Sequence, residues 1–314
     1  MKVLVTGGSG FIGSHVVDKL RDRGHEPRIL DMIESPHHAP GEIDTVIGDV
    51  SDPGALERAM EDCEAVMHLA AVADVSQVAV DPAYAQAINA GGTLNALDAA
   101  RTAGVQRFVY ASTIWVYDGR DGTVAEDDRL ALPAHVYTAT KLAGEMYCTS
   151  YAKLYGLDYT ILRFGIPYGP RARPAAVVPS FVRKALDGEP LTVAGDGSQS
   201  RRFVYVEDLA RGVVEALRPV AANQVYNLVT GESVTVLELA SVVRDLVGDV
   251  DIQHLPARGA DFAGAEVCGA RAAEQLGWSA TTPIVEGVRH YIDWLASRLD
   301  PAGPPPEAVD SALG

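Results

Sequence analysis

Through the first 165 residues, short runs of β-branched and apolar residues alternate with stretches of helical periodicity. KVLVTG reads as a buried strand, FIGSHVVDKLRDRG as an amphipathic helix and EPRILDM as a second strand. DTVIGDV, a helix around PGALERAMEDC, the strand AVMHLAA, a long helix from about Pro82 to Ala103 and the strand RFVYAST follow. The next helix is YTATKLAGEMYCTSYAKLYG and the next strand LDYTILRFG. Strands joined by helical crossovers predict a parallel sheet with helices on both faces.

After Gly165 the rhythm breaks. IPYGPRARPAAVVPSF is rich in proline and arginine, GDGSQSRRF is a loop before a short strand, and helices are expected near 207–217, 235–247 and 283–298. The pattern divides the chain into a large domain, residues 1–165 with part of 203–229 returning to it, and a smaller C-terminal lobe within 166–300. The last stretch, 301–314, is proline-rich and aperiodic and is expected to be a disordered tail.

Composition narrows the partners. The 314 residues carry a formal net charge of −16, which argues against a nucleic-acid or anionic-membrane binder but leaves room for one small anion held by local arginines. Three cysteines without CxxC spacing predict reduced thiols, with neither a disulfide framework nor a metal site. No run of about 18 apolar residues and no leader pattern occurs, so a cytoplasmic protein is expected.

The first chemistry is TGGSGFIG. Gly7, Gly10 and Gly13 follow a strand and open a helix, where glycines let the backbone turn tightly and approach a pyrophosphate, which would face Phe11, Ile12 and Gly13 at the helix start. Asp31 ends the second strand. A carboxylate there bonds a ribose 2′-hydroxyl and repels a 2′-phosphate, favouring NAD over NADP. The fold class is therefore a Rossmann-type α/β domain, a doubly wound parallel sheet, with a smaller C-terminal substrate-binding lobe.

With GDVSD (48–52), HLAA (68–71), the strand ending in Ser112 and Thr113, Tyr137-xxx-Lys141 and GDGSQSR (195–201), the chain resembles the extended short-chain dehydrogenase/reductase family of NAD-dependent sugar-nucleotide epimerases and dehydratases. The resemblance runs from Met1 to about Trp294. It implies that Asp49 and Val50 border the adenine, that Ala70 and Ala71 line the pyrophosphate and nicotinamide ribose, and that Asn89 braces the strands beneath. It also implies a homodimer built on the helices around 84–103 and 136–154.

Tyr137 and Lys141, at i and i+4, lie on one helix face and reach one cleft. A neighbouring ammonium and the positive nicotinamide are expected to lower the phenol from its ordinary pKa near ~10, making Tyr137 a general base. In the family's pattern Lys141 also holds the nicotinamide ribose, and Thr113 bonds the same substrate oxygen. Ser112 is either a helper at the substrate or a partner for groups at the strand end.

Ile114 and Trp115 follow Thr113, where the family's 4,6-dehydratases carry an Asp–Glu pair. Neither can move a proton, so a 4-epimerase is the economical reading, with a 4-keto sugar turning over in the cleft. Arg201 and Arg258 resemble the family's pyrophosphate clamps, and Val178 and Phe181 are expected beside the base. Ile166 stands where the family usually has Asn, and Arg202 where it usually has Asp. Arg173, with Arg171 as a weaker candidate, is placed to fork a sugar carboxylate, which puts UDP-glucuronic acid ahead of UDP-glucose. An NADP-dependent keto-sugar or carbonyl reductase and a non-catalytic NAD sensor or scaffold are the competing readings. Asp31 opposes the first, and the Thr113, Tyr137 and Lys141 set opposes the second.

Overall fold

A computed structural model describes residues 1–248, 250–256 and 265–299. The chain begins with β1 (Lys2–Thr6), α1 (Phe11–Asp22), β2 (Glu26–Asp31), β3 (Asp44–Ile47), α2 (Pro53–Met60) and β4 (Ala65–His68). Two short helices, α3 (Val75–Val80) and α4 (Pro82–Gln86), lead through a π-helical turn, Ala87–Gly91, into α5 (Gly92–Ala103). Then come β5 (Arg107–Thr113), β6 (Thr123–Val124), α6 (Val136–Tyr155) and β7 (Tyr159–Phe164).

Seven strands form one sheet, and all its pairings are parallel. From one edge its order is β3, β2, β1, β4, β5, β7 and a last strand supplied from far along the chain. The side-chain period of two explains how β1 sits in the middle. Val3 and Val5 enter one apolar cluster with Val16, Leu20 and Trp278, whereas Leu4 enters the other with Leu56, Leu97 and Phe108. All three β1 residues are fully buried, so helices must cover both faces. The strand order reverses between β1 and β4. Such a reversal opens a crevice at the carboxyl ends of the strands.

The remaining elements are β8 (Ile166–Tyr168), α7 (Val177–Leu186), β9 (Leu191–Ala194), β10 (Ser200–Arg201), β11 (Phe203–Tyr205), α8 (Val206–Glu215), β12 (Gln224–Leu228), β13 (Val234–Thr235), α9 (Val236–Val247), β14 (Ile252–Leu255), β15 (Glu266–Val267) and α10 (Ile284–Leu299). β12 is the late strand, pairing in parallel with β7 at the sheet edge. Just before it, α8 joins α1 through Lys19 and Glu207, 2.9 Å apart. α7, α9 and α10 enclose a separate apolar core containing Tyr168, Val178, Phe181, Leu239, Val243 and Tyr291. Among the described residues the lobe's strands meet in pairs, β8 with β11, β9 with β14 and β10 with β13, while β15 pairs with β6.

The predicted helix from Pro82 to Ala103 is continuous but not uniform. Its π turn holds Asn89, buried and aimed across the molecule. A widened turn of this kind is often found at functional sites. Among the described residues no helix is long and apolar enough to cross a membrane, and no group of three or more His, Cys, Asp or Glu could hold a metal. The expected tail, 301–314, lies outside the described residues.

Candidate active site

The glycine turn is set by contact distances. Gly7 has a φ of +72°, and a Cβ there would stand 2.9 Å from the Ala70 backbone. A Cβ on Gly13 would meet the Gly7 carbonyl oxygen at 2.1 Å, so only glycine lets α1 start this close to β1. Gly10 begins α1 with extended backbone and no side chain caps the helix. The first N–H groups, on Phe11, Ile12 and Gly13, thus open into a shallow cradle suited to a pyrophosphate.

Asp31 closes the adjoining wall. Its carboxylate accepts from the Ser9 N–H at 3.0 Å and the Met32 N–H at 2.8 Å. Burial nevertheless raises its pKa, the backbone N–H bonds opposing the shift only in part. Arg28 is held by Asp44 and by the carbonyls of Ala59 and Glu61. Asp49 accepts from the Ser51 N–H, and Val50 is packed against Gly92, where a Cβ would approach it to 2.6 Å. Ala70 and Ala71, half-buried, follow β4, with the Ala70 N–H donating to Thr6 Oγ1 at 3.2 Å. Asn89 bonds both backbone groups of Val72 and donates to Thr140 Oγ1. It braces the crevice wall to α6 directly behind Tyr137.

Tyr137 and Lys141 lie on one face of α6. Lys141 is buried, with Nζ donating to the Ala111 carbonyl at 2.9 Å and standing 5.3 Å from the centre of the Tyr110 ring. Burial lowers its pKa to about 8. Thr113, at the end of β5, accepts from the Trp115 N–H at 3.3 Å and starts the turn Ile114–Tyr117. The lowering expected of Tyr137 rests on Lys141 together with the positive nicotinamide; the protein's own groups shift the phenol the other way. Burial pushes Tyr137 up to about 12, and the cation that pulls it back is Arg173, from the other lobe. In the protein's own field, desolvation of the phenolate outweighs the nearby charge.

Three substrate-side expectations also change. Ser112 faces away from Thr113, as strand alternation requires, and its hydroxyl donates to Glu145 Oε1 at 2.5 Å. Glu145 is in turn held at two points by Arg163. Val178 is 0% and Phe181 5% exposed, so both fill the lobe core instead of bordering a base. Arg171 adopts a φ of +67° and turns to Asp18 on α1, 2.8 Å away, which removes it from the sugar side.

Arg173 is different. It is half-exposed and pairs with Asp74, which caps the start of α3 across the crevice. Arg201 donates to the Ser200 carbonyl within the β10–β13 pair, and Arg258 lies outside the described residues. Arg202, standing where an acid was the usual residue, is buried and ties Thr230 O to Glu266. Sequence reasoning missed Asp74 and Glu145. Glu145 continues the Tyr137–Lys141 face by one more i+4 step and so was legible; Asp74 carried no local signal beyond a helix cap.

The NAD dependent epimerase/dehydratase family is matched over residues 3–229. The chain belongs to that family. Its cofactor is NAD, and the Gly7–Gly13 cradle with Asp31 beside it fits that group. A putative UDP-glucose 4-epimerase of Methanocaldococcus jannaschii is 32% identical over 93% of this chain and 98% of its own length. The UDP-glucose 4-epimerase of Thermotoga maritima, solved with UDP-glucose, superposes with a TM-score of 0.90 at 31% identity, covering 96% of this chain and all of that one. The UDP-glucuronic acid 4-epimerase of Bacillus cereus, solved with UDP-glucuronic acid and NAD, gives a TM-score of 0.86 at 28% identity over 95% of this chain and 99% of that one.

Proposed function

We propose that this chain is an NAD-dependent sugar-nucleotide epimerase that inverts C4 of a UDP-sugar, with UDP-glucuronic acid preferred to UDP-glucose. Held in the glycine cradle, NAD supplies the hydride acceptor and donor at C4. Tyr137 takes and returns the proton of the 4-hydroxyl, Thr113 bonds the same oxygen, and Lys141 holds the ribose and contributes positive charge. Ile114 and Trp115 offer no acid–base pair for eliminating water, which supports epimerisation over dehydration.

The observation that carries the sugar preference is Arg173. Its guanidinium acts on the Tyr137 phenol and is already paired with a carboxylate, that of Asp74. A planar fork close enough to act on the Tyr137 phenol suits a C6 carboxylate. It also protects the intermediate: a 4-keto-uronic acid loses carbon dioxide when its carboxylate stands out of the ring plane, and a fork that fixes the carboxylate opposes that. UDP-glucose is the second reading, supported by the likeness to the Thermotoga enzyme. In it, Arg173 stays with Asp74 throughout.

The reading includes a cytoplasmic homodimer. Free thiols at Cys63, Cys148 and Cys268 suit a reducing compartment, and exposed Leu94 on α5 with Met146 and Leu154 on α6 suits pairing of those helices. Light scattering of the eluted protein reads the assembly. The activity is tested by incubating purified protein with UDP-glucuronic acid and no added cofactor, then resolving products by NMR. UDP-galacturonic acid without UDP-pentose is expected. Conversion of UDP-glucose alone removes the carboxylate preference, and a net change in NADH replaces the epimerase by a reductase.

A further inference from the structure

Asp74 and Arg173 are 99 residues apart in sequence and stand on opposite walls of the crevice. Asp74 follows β4 in the sheet domain, whereas Arg173 lies between β8 and α7, where the chain enters the lobe. The two oxygens of Asp74 do different work. Oδ1 accepts from the Ser76 N–H at 2.8 Å and caps α3, while Oδ2 accepts from Arg173 Nη1. One oxygen is structural; the other can be given up without uncapping the helix.

We infer that Asp74 is a specificity-determining residue: its carboxylate holds one arm of the Arg173 fork in place of the sugar carboxylate and must be displaced by it. The inference rests on the reading of Arg173 as the carboxylate fork. Geometry makes the exchange feasible. The Arg173 side chain is 55% exposed and that of Asp74 24%, so the pair is solvated and weak, the kind worth ~0–1 kcal/mol, and can be broken at little cost. A buried pair would leave an uncompensated charge on opening and would resist exchange.

The consequence is a discrimination rule. An acidic sugar nucleotide competes with Asp74 for Arg173, then leaves the Asp74 Oδ2 to water. A neutral sugar offers Arg173 nothing better than Asp74, so the resting pair persists and spans the crevice. Asp74 therefore penalises the acidic sugar specifically, and it does so only through Arg173.

Calorimetry on the NAD-loaded protein tests this with UDP-glucuronic acid and UDP-glucose as probes. Asp74→Asn keeps a good helix cap and removes the charge, and Asp74→Ser does the same with a different side chain. Both are expected to raise the ratio of the UDP-glucose Kd to the UDP-glucuronic acid Kd by about fivefold, the scale of an exposed ion pair. In an Arg173→Ala background the same replacements are expected to leave the ratio unchanged. An unchanged or lowered ratio, an equal rise in the Arg173→Ala background, or no binding of UDP-glucuronic acid by either protein overturns the inference. If the ratio responds as expected but NMR shows no C4 inversion of UDP-glucuronic acid, the proposed function fails and the role of Asp74 stands.

Discussion

Glu145 and Arg163 form a two-point ion pair beneath the active site, with Nε–Oε1 at 3.0 Å and Nη2–Oε2 at 2.7 Å. Glu145 lies two helical turns beyond Tyr137 on α6, and Arg163 lies on β7. Ser112, beside Thr113, donates to the same carboxylate, and Arg163 also donates to the Tyr117 hydroxyl at 2.6 Å. The pair thus fixes α6 against β7, and the Ser112 bond ties the same carboxylate to β5 next to Thr113.

Both side chains of that pair are under 10% exposed. Arg163→Met strands a buried carboxylate and is expected to cost roughly 3–5 kcal/mol of unfolding free energy. Ser112→Ala removes one of several bonds to Glu145 and should cost only ~1–2 kcal/mol. Urea denaturation of the two variants measures the difference. Equal small losses would mean the pair does not hold the helix to the sheet.

Arg173 is the cation that draws the Tyr137 phenol down from the high value burial imposes. Arg173→Ala removes that stabilisation of the phenolate, so the phenol pKa rises. Activity that needs the phenolate must then appear at higher pH. The profile of kcat against pH with UDP-glucose, a neutral sugar, is expected to shift its acid limb upward. A shift downward, or none, would disconnect Arg173 from the base.

Lys141 makes the opposite kind of prediction. Burial lowers its pKa to about 8 from an ordinary 10.5, so between those values the unfolded chain holds a proton that the folded chain has released. Stability from this group therefore rises with pH across that window, and below it the full penalty of burying an ammonium is present. Lys141→Met is expected to raise the unfolding free energy at pH 7 by ~1–3 kcal/mol while abolishing turnover, and to remove the rise above pH 8. Thermal melts across pH, read beside activity, check both halves. A variant less stable at pH 7 would show that the bond to the Ala111 carbonyl outweighs desolvation.

Gly13 and Gly10 separate packing from approach. At Gly13 a Cβ would lie 2.1 Å from the Gly7 carbonyl oxygen; at Gly10 the nearest atom is that same oxygen at 3.3 Å. Gly13→Ala must push α1 off β1 and is expected to strip the protein of co-purifying NAD and lower its Tm by several degrees. Gly10→Ala should stay close to the wild-type Tm and lose NAD only in part. Cofactor content by absorbance of the denatured supernatant, with a melt of each variant, checks the ranking.

The sequence alone determined the sheet, the cofactor end of the crevice and the Tyr137–Lys141 face. Each depends on short-range periodicity: strands alternate every second residue, helices repeat near 3.6, and a glycine turn is written in consecutive residues. The return of β12 to the sheet edge was partly legible because residues 203–229 kept strand and helix patterns after the lobe began. Tertiary structure decided the rest. Strand alternation turns Ser112 away from Thr113, but the partner it meets there, Glu145 held by Arg163 51 residues later, is tertiary, and Asp74 meets Arg173 across 99 residues. The sign of the Tyr137 shift is the clearest case. Local sequence supplies the ammonium, but how far water is excluded is a property of the folded crevice, and burial is the larger effect.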